Sequence, residues 1–173
     1  MNALRLLGAA CIALSGIGIG IAGAFELRQR VRTLTDFIAT FVTIRAEIVV
    51  RATPIGEIAE GLMHSAPRTV RTFYARVYES MCFLGECSFA DIWRNSVEAC
   101  EELGLKPEEL GEIMSLGASL GRYDAREQED AINLCISRLN TLLELAREES
   151  KTGGRLVLGL GAAGGLVLVI ILI

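Results

Sequence analysis

Two apolar blocks, one at each end, constrain this 173-residue chain more than any other feature. The first runs from Leu6 to Phe25, carries no charge, and has Ser15 as its single hydroxyl. The second runs from Leu156 to Ile173 and has no polar side chain. An α-helix rises 1.5 Å per residue, so about 20 apolar residues cross the ~30 Å hydrocarbon core of a bilayer. Both blocks read as membrane helices on that measure. Apolar residues make up 51% of the chain, and the excess over an ordinary soluble domain sits in these blocks.

The stretch between the blocks holds all 21 acidic residues and, Arg5 excepted, every one of the 17 basic residues. Its acidic balance argues against nucleic-acid binding, which draws on a basic patch or stripe. Ala22-Gly23-Ala24 has the look of a cleavage site, but the apolar run before it is longer than the h-region of a signal peptide. Arg28, Arg30 and Arg32 follow the first block, and Arg147, Lys151 and Arg155 flank the second. The positive-inside rule then favours uncleaved anchors, with the middle in the cytoplasm and both termini outside. The expected organisation is an N-terminal transmembrane helix over 1–25, a cytoplasmic domain over 26–155 and a C-terminal transmembrane helix over 156–173. Such a chain is a two-span protein of the cell membrane, in contact with lipid.

The middle reads as helical throughout. Leu27, Val31, Leu34, Ile38, Phe41, Ile44 and Ile48 recur in steps of three and four, and no Pro or Gly interrupts 26–52. Thr53-Pro54 reads as an N-cap followed by proline at the first helical position, opening a helix with Ile58, Ala59 and Leu62 inward. A break near His64–Pro67 precedes a helix carrying Val70, Phe73, Val77 and Met81, which Gly85 stops. Ser88 caps the next, with Ile92, Val97 and Cys100 on one side. Lys106-Pro107-Glu108-Glu109 opens a short helix with acids in its first turn, as the helix dipole prefers. The last helix starts at Asp124 or Ala125 with a stripe of Ile132, Cys135, Leu139, Leu142, Leu143 and Ala146, and Gly153-Gly154 is a candidate hinge. The fold class is therefore all-α, a bundle of about six helices flanked by transmembrane helices.

Chemistry is sparse. There is no phosphate-binding G-x-x-x-x-G-K-[ST] loop, no H-E-x-x-H and no G-x-S-x-G. His64 is the sole histidine, and the five cysteines (Cys11, Cys82, Cys87, Cys100, Cys135) form no C-x-x-C pair. A zinc site is disfavoured, and free thiols in a reducing compartment are the simpler reading. Glu108, Glu109 and Glu112 read as a solvated helix face rather than metal ligands, since the Glu-x-x-His pairs of a diiron bundle are absent. No enzyme activity, metal or cofactor is expected. Gly16 and Gly20 in the first block, and Gly161 and Gly165 in the second, have the small-x-x-x-small spacing that lets helix backbones approach in lipid. Glycine is also simply common in membrane helices, and both readings stand.

One segment is more distinctive: Leu116-Gly117-x-x-Leu120-Gly121-Arg122-x-Asp124-x-x-x-Gln128. Together with Leu6-Leu7-Gly8, Thr53-Pro54-Ile55, Phe73, Trp93 with Ser96, and Leu158-Gly159-Leu160-Gly161 before Ile171-Leu172-Ile173, it resembles the stage III sporulation protein AB family of endospore-forming bacteria. The resemblance covers nearly the whole chain. It implies a subunit of the complex that spans the membranes between mother cell and forespore, on the mother-cell side. It also implies a helical domain similar to the platform protein of type II secretion systems, working beside a cytoplasmic secretion-type ATPase. The expected function is a non-catalytic platform that couples that ATPase to a channel, with the other channel subunits as partners and oligomers allowed. Leu116, Gly117, Leu120, Gly121, Arg122, Asp124 and Gln128 are then a candidate docking or domain-organising motif. The competing readings are a membrane-tethered sensor for a small ligand, marked by a deep apolar pocket, and an enzyme at the membrane surface, marked by clustered acids with shifted pKa values.

Overall fold

The structure, a computed structural model, describes the side chains of residues 18, 21–121 and 124–153. Six α-helices are described: α1 (Asn2–Arg51), α2 (Ile55–Ser65), α3 (Arg68–Ser80), α4 (Phe89–Glu98), α5 (Pro107–Gly117) and α6 (Ala125–Leu172). Short 3₁₀ turns at Met81–Phe83 and Glu101–Leu103 lead out of α3 and α4. The all-α class with about six helices therefore holds. The chain forms two compact units, Arg32–Glu144, and Met1–Val31 with Leu145–Ile173.

The unit Arg32–Glu144 has an aromatic centre. Leu34, Phe37, Phe41, Ile44 and Ile48 form the buried seam of α1. The expected stripe put Ile38 where Phe37 lies. A strict 3-4-3-4 alternation from Leu34 selects Phe37, and Ile38, one position on, is only half buried. Phe73 of α3 stands edge-on to Trp93 of α4, with ring centres 4.8 Å apart and planes at 89°. Phe37 meets Phe73 at 5.4 Å, and Phe41, Tyr74 and Phe89 also reach the indole. Such edge and tilted pairs contribute ~0.5–1.5 kcal/mol beyond their buried area. The indole Nε1–H donates to the Ile113 carbonyl at 2.8 Å, which locks α4 to α5. Tyr74 donates to the Thr40 hydroxyl at 2.7 Å, and Thr40 donates to the Phe37 carbonyl at 2.9 Å. Burial pushes the Tyr74 phenol well above its usual range. The expected α6 stripe, Ile132 to Ala146, is buried at every position.

Local caps explain the helix starts. The Ser88 hydroxyl accepts from the Asp91 N–H at 3.2 Å, and the Asp91 carboxylate accepts from the Ser88 N–H at 3.4 Å. Asp124 accepts from the Glu127 N–H at 2.8 Å and caps α6. At α5 the buried Glu109 carboxylate accepts from the Lys106 N–H at 2.7 Å. Glu109 is thus no part of a solvated face. It folds back because the N–H groups at a helix start have no intrahelical partner and a carboxylate at a helix N-terminus is favoured by the dipole. Glu112 accepts from Arg138 at 3.1 and 3.2 Å.

In the other unit, α1 and α6 approach closely. A Cβ added at Gly153 would lie 2.9 Å from Leu27 Cδ1. Arg30, nearly buried, donates to the more exposed Glu149 at 2.6 Å. α6 is a single helix through Gly153, so no hinge forms at that residue.

The placement in the membrane needs correction. Among the described residues no helix is long and apolar enough to cross a membrane. That overturns the expected localisation as a two-span cell-membrane protein with a cytoplasmic middle on the mother-cell side. The physical reason is the charge on the described stretches: α1 carries Glu26, Arg28, Arg30 and Arg32 within two turns, and α6 carries Glu144, Arg147, Glu148, Glu149 and Lys151. The blocks that motivated the expectation lie outside the described residues, apart from Gly18 and 21–25. The packing candidates Gly16, Gly20, Gly161 and Gly165 lie outside them as well.

Candidate functional site

The site is assembled from two turns at one end of the Arg32–Glu144 unit. The first joins α1 to α2. Ala52 turns the chain in the left-handed region, at φ 51°. The Thr53 N–H then reaches back to the Glu47 carbonyl at 3.0 Å, and the Thr53 hydroxyl donates to the Glu47 carboxylate at 2.9 Å. Thr53 was expected to cap α2, with Pro54 inside the helix. Instead Pro54 holds the cap position and α2 begins at Ile55. The hydroxyl donates to the Glu47 carboxylate, a charged and therefore strong acceptor, and that bond holds Thr53 on the end of α1 rather than at the start of α2.

The second turn joins α5 to α6. Leu116 and Leu120 are buried, and the Ser119 and Leu120 N–H groups both donate to the Leu116 carbonyl. Gly117 lies against Trp93 so closely that an added Cβ would sit 2.4 Å from the indole Cδ1. Gly121 has φ +77°, where side-chain-bearing residues are strained. Its N–H donates to the Gln128 side-chain oxygen at 3.1 Å, which closes the turn onto the first turns of α6. Arg122 lies outside the described residues.

The two turns meet. The position of a Gly121 Cβ is 3.9 Å from Ile55 Cγ2. Between them is a groove of about 360 Å³, walled on one side by Ala52, Pro54 and Ile55 and on the other by Gly121, Ala125 and Gln128. The Thr53 hydroxyl is engaged by Glu47 and the Gln128 oxygen by Gly121, so what the groove offers is mainly apolar surface with fixed backbone walls. The structure therefore divides the sequence motif. Leu116, Gly117 and Leu120 organise the core, whereas Gly121 and Gln128 line the groove and Asp124 caps the helix beside it. The link between Thr53-Pro54-Ile55 and the later motif is not legible in the sequence, because nothing in a linear pattern says which turns share an end of the bundle. Trp93 is the hub of the core, and its being the lone tryptophan of a helical domain is the one sequence signal for that place.

The stage III sporulation protein AB family profile matches residues 5–173. The chain belongs to that family. Stage III sporulation protein AB of Bacillus subtilis (strain 168) is 24% identical over 170 residues, covering 98% of this chain and 99% of the relative. A solved structure of a stage III sporulation protein AB superposes with a TM-score of 0.65 at 22% identity, over 70% of this chain and 96% of that one. This likeness establishes a shared helical fold. Membership in the stage III sporulation protein AB family carries a role in sporulation.

Proposed function

We propose that this chain is a non-catalytic scaffold subunit of a sporulation channel complex, and that it couples a secretion-type ATPase to the assembly between mother cell and forespore. The working module is the 26–155 stretch, and the end groove is the docking surface for the ATPase. The observation that carries this reading is the convergence of the Thr53-Pro54-Ile55 turn and the Gly121–Gln128 turn on one groove. These segments are far apart in sequence, and both are among the residues on which the resemblance to the sporulation family rests. Polar side chains already committed to the protein's own turns leave shape and apolar contact as the groove's means of recognition. A groove whose two turns are closed by their own hydrogen bonds has less freedom to lose on binding, which suits a scaffold.

The test is co-purification of the complex's ATPase with the full-length chain from sporulating cells, comparing wild type with Ile55→Glu. The reading expects the ATPase with the wild type and its loss from the variant, with the variant's thermal unfolding unchanged. Equal recovery with both would refute the groove as the docking surface.

A further inference from the structure

A second groove lies at the corner between α4 and α5, apart from the end groove. Its volume is about 330 Å³. Val97, Cys100 and Leu103 are buried at its floor, and Leu105, Leu110 and Met114 stand half exposed along it. Leu110 and Met114 are one helical turn apart on α5 and present a continuous apolar ridge. Gly104, at φ +61°, turns the chain sharply between the 3₁₀ turn and α5 and leaves the corner open. Methionine at such an edge is adaptable, because its unbranched thioether repacks against varied partners.

The charge at the rim decides what fits. Glu98 and Glu101 line the groove and are exposed, and no basic side chain is among its lining residues. Arg76 approaches the Cys100 thiol but does not line the groove. An apolar floor with carboxylates on its edge complements an apolar anchor flanked by lysine or arginine. Apolar grooves between helices take such anchors from the i, i+3, i+4 and i+7 face of an amphipathic helix. We infer that the α4–α5 groove docks a basic amphipathic helix of a protein partner. The carboxylates steer and orient the helix, and Leu110 and Met114 receive its apolar face.

The probe is a short synthetic helix with leucines at i, i+3, i+4 and i+7 flanked by lysines. The control is a peptide of the same composition with the pattern scrambled. Each is titrated into the full-length chain carrying labelled methyl groups. The patterned helix is expected to shift the methyl signals of Val97, Leu103, Leu110 and Met114 saturably and more weakly as salt rises. Reversing both rim charges, Glu98→Lys with Glu101→Lys, is expected to weaken binding about tenfold, equivalent to ~1.4 kcal/mol. Both positions are exposed, so the fold tolerates the change, and unchanged methyl spectra of the free variant verify it. Equal binding of the scrambled peptide, shifts centred on Ile55 instead, or an affinity indifferent to charge reversal would each overturn the assignment. Shifts at Ile55 alone would sink this inference and leave the end-groove reading standing.

Discussion

Replacing Gly117 by alanine puts a methyl group where the indole of Trp93 already is. The new carbon would lie 2.4 Å from Cδ1, 2.5 Å from Cγ and 2.7 Å from Cβ of Trp93. The ring cannot swing aside easily. Its Nε1–H is held by the Ile113 carbonyl at 2.8 Å, and its faces and edges meet Phe41, Phe73, Tyr74 and Phe89. Overpacking of this kind costs ~1–3 kcal/mol, and breaking the buried indole hydrogen bond costs ~1–3 more. Replacing glycine in a helix by alanine returns about 1 kcal/mol. The net expectation is a loss of about 3 kcal/mol, a fall in Tm of roughly 10 °C for a chain of this size. Trp93 is the only tryptophan, so its fluorescence follows unfolding at the perturbed position itself. The same substitution in a Trp93→Leu background, followed by circular dichroism because that background has no tryptophan, should cost less than ~1 kcal/mol, because the clash has lost its partner. A Gly117→Ala protein within ~0.5 kcal/mol of wild type, or an equal cost in both backgrounds, would refute the reasoning.

Four further outcomes follow from the same structure. Ala52→Gly should stabilise by about 1 kcal/mol in denaturant titrations, since an L-residue in the left-handed region costs ~1–2 kcal/mol and glycine does not. Glu109→Ala should cost about 2 kcal/mol by removing the buried acceptor of the Lys106 N–H, while Glu109→Gln, which keeps an acceptor, should recover most of it. Hydrogen bonds from Ser88 hold the Asp91 carboxyl below the usual carboxylate range. A pKa lowered on folding gives a contribution present above the unfolded value and lost as pH falls through the folded one, so Ser88→Ala should raise the Asp91 titration midpoint seen by NMR and reduce acid-side sensitivity. Among the described cysteines, Cys82 and Cys87 are exposed and should label rapidly with a maleimide at neutral pH, whereas Cys100 and Cys135 should react only on unfolding. Burial, with the nearby Glu112 charge, pushes the Cys135 thiol up to about 12.

The helical pattern of the middle was readable because burial repeats every three or four residues. The α6 stripe from Ile132 to Ala146 and the caps at Ser88 and Asp124 follow directly from that period and from the preference of short polar side chains for orphan N–H groups. The seam of α1 was legible except at Phe37, where steps of three and four admit either of two adjacent apolar residues and strict alternation from Leu34 is needed to select the one that packs on Phe73. Thr53 and Glu109 were misjudged for a common reason. Each has its hydrogen-bond partner set by how the chain turns, Thr53 on Glu47 six residues back and Glu109 on the N–H at its own helix start, and propensity alone does not rank these against solvent. The motif from Leu116 to Gln128 was visible as residues but not as two jobs. Gly117 reads as punctuation until Trp93 is known to lie on it, and Gly121 acquires its groove only when Ile55, far earlier in the chain, comes to the same end of the bundle. Membrane placement, inferred from block length and flanking arginines, did not carry over to the charged helical stretches that the structure describes.

The scaffold reading is tested most directly by site-specific crosslinking from the end groove in sporulating cells. A photoreactive residue at Gln128 of the full-length chain, followed by mass spectrometry of the captured protein, reports what occupies the groove. The account predicts a crosslink to the secretion-type ATPase of the complex, absent when the reactive residue is moved to Glu60 on the exposed side of α2. Efficient crosslinking to that ATPase from Glu60 and none from Gln128 would contradict it.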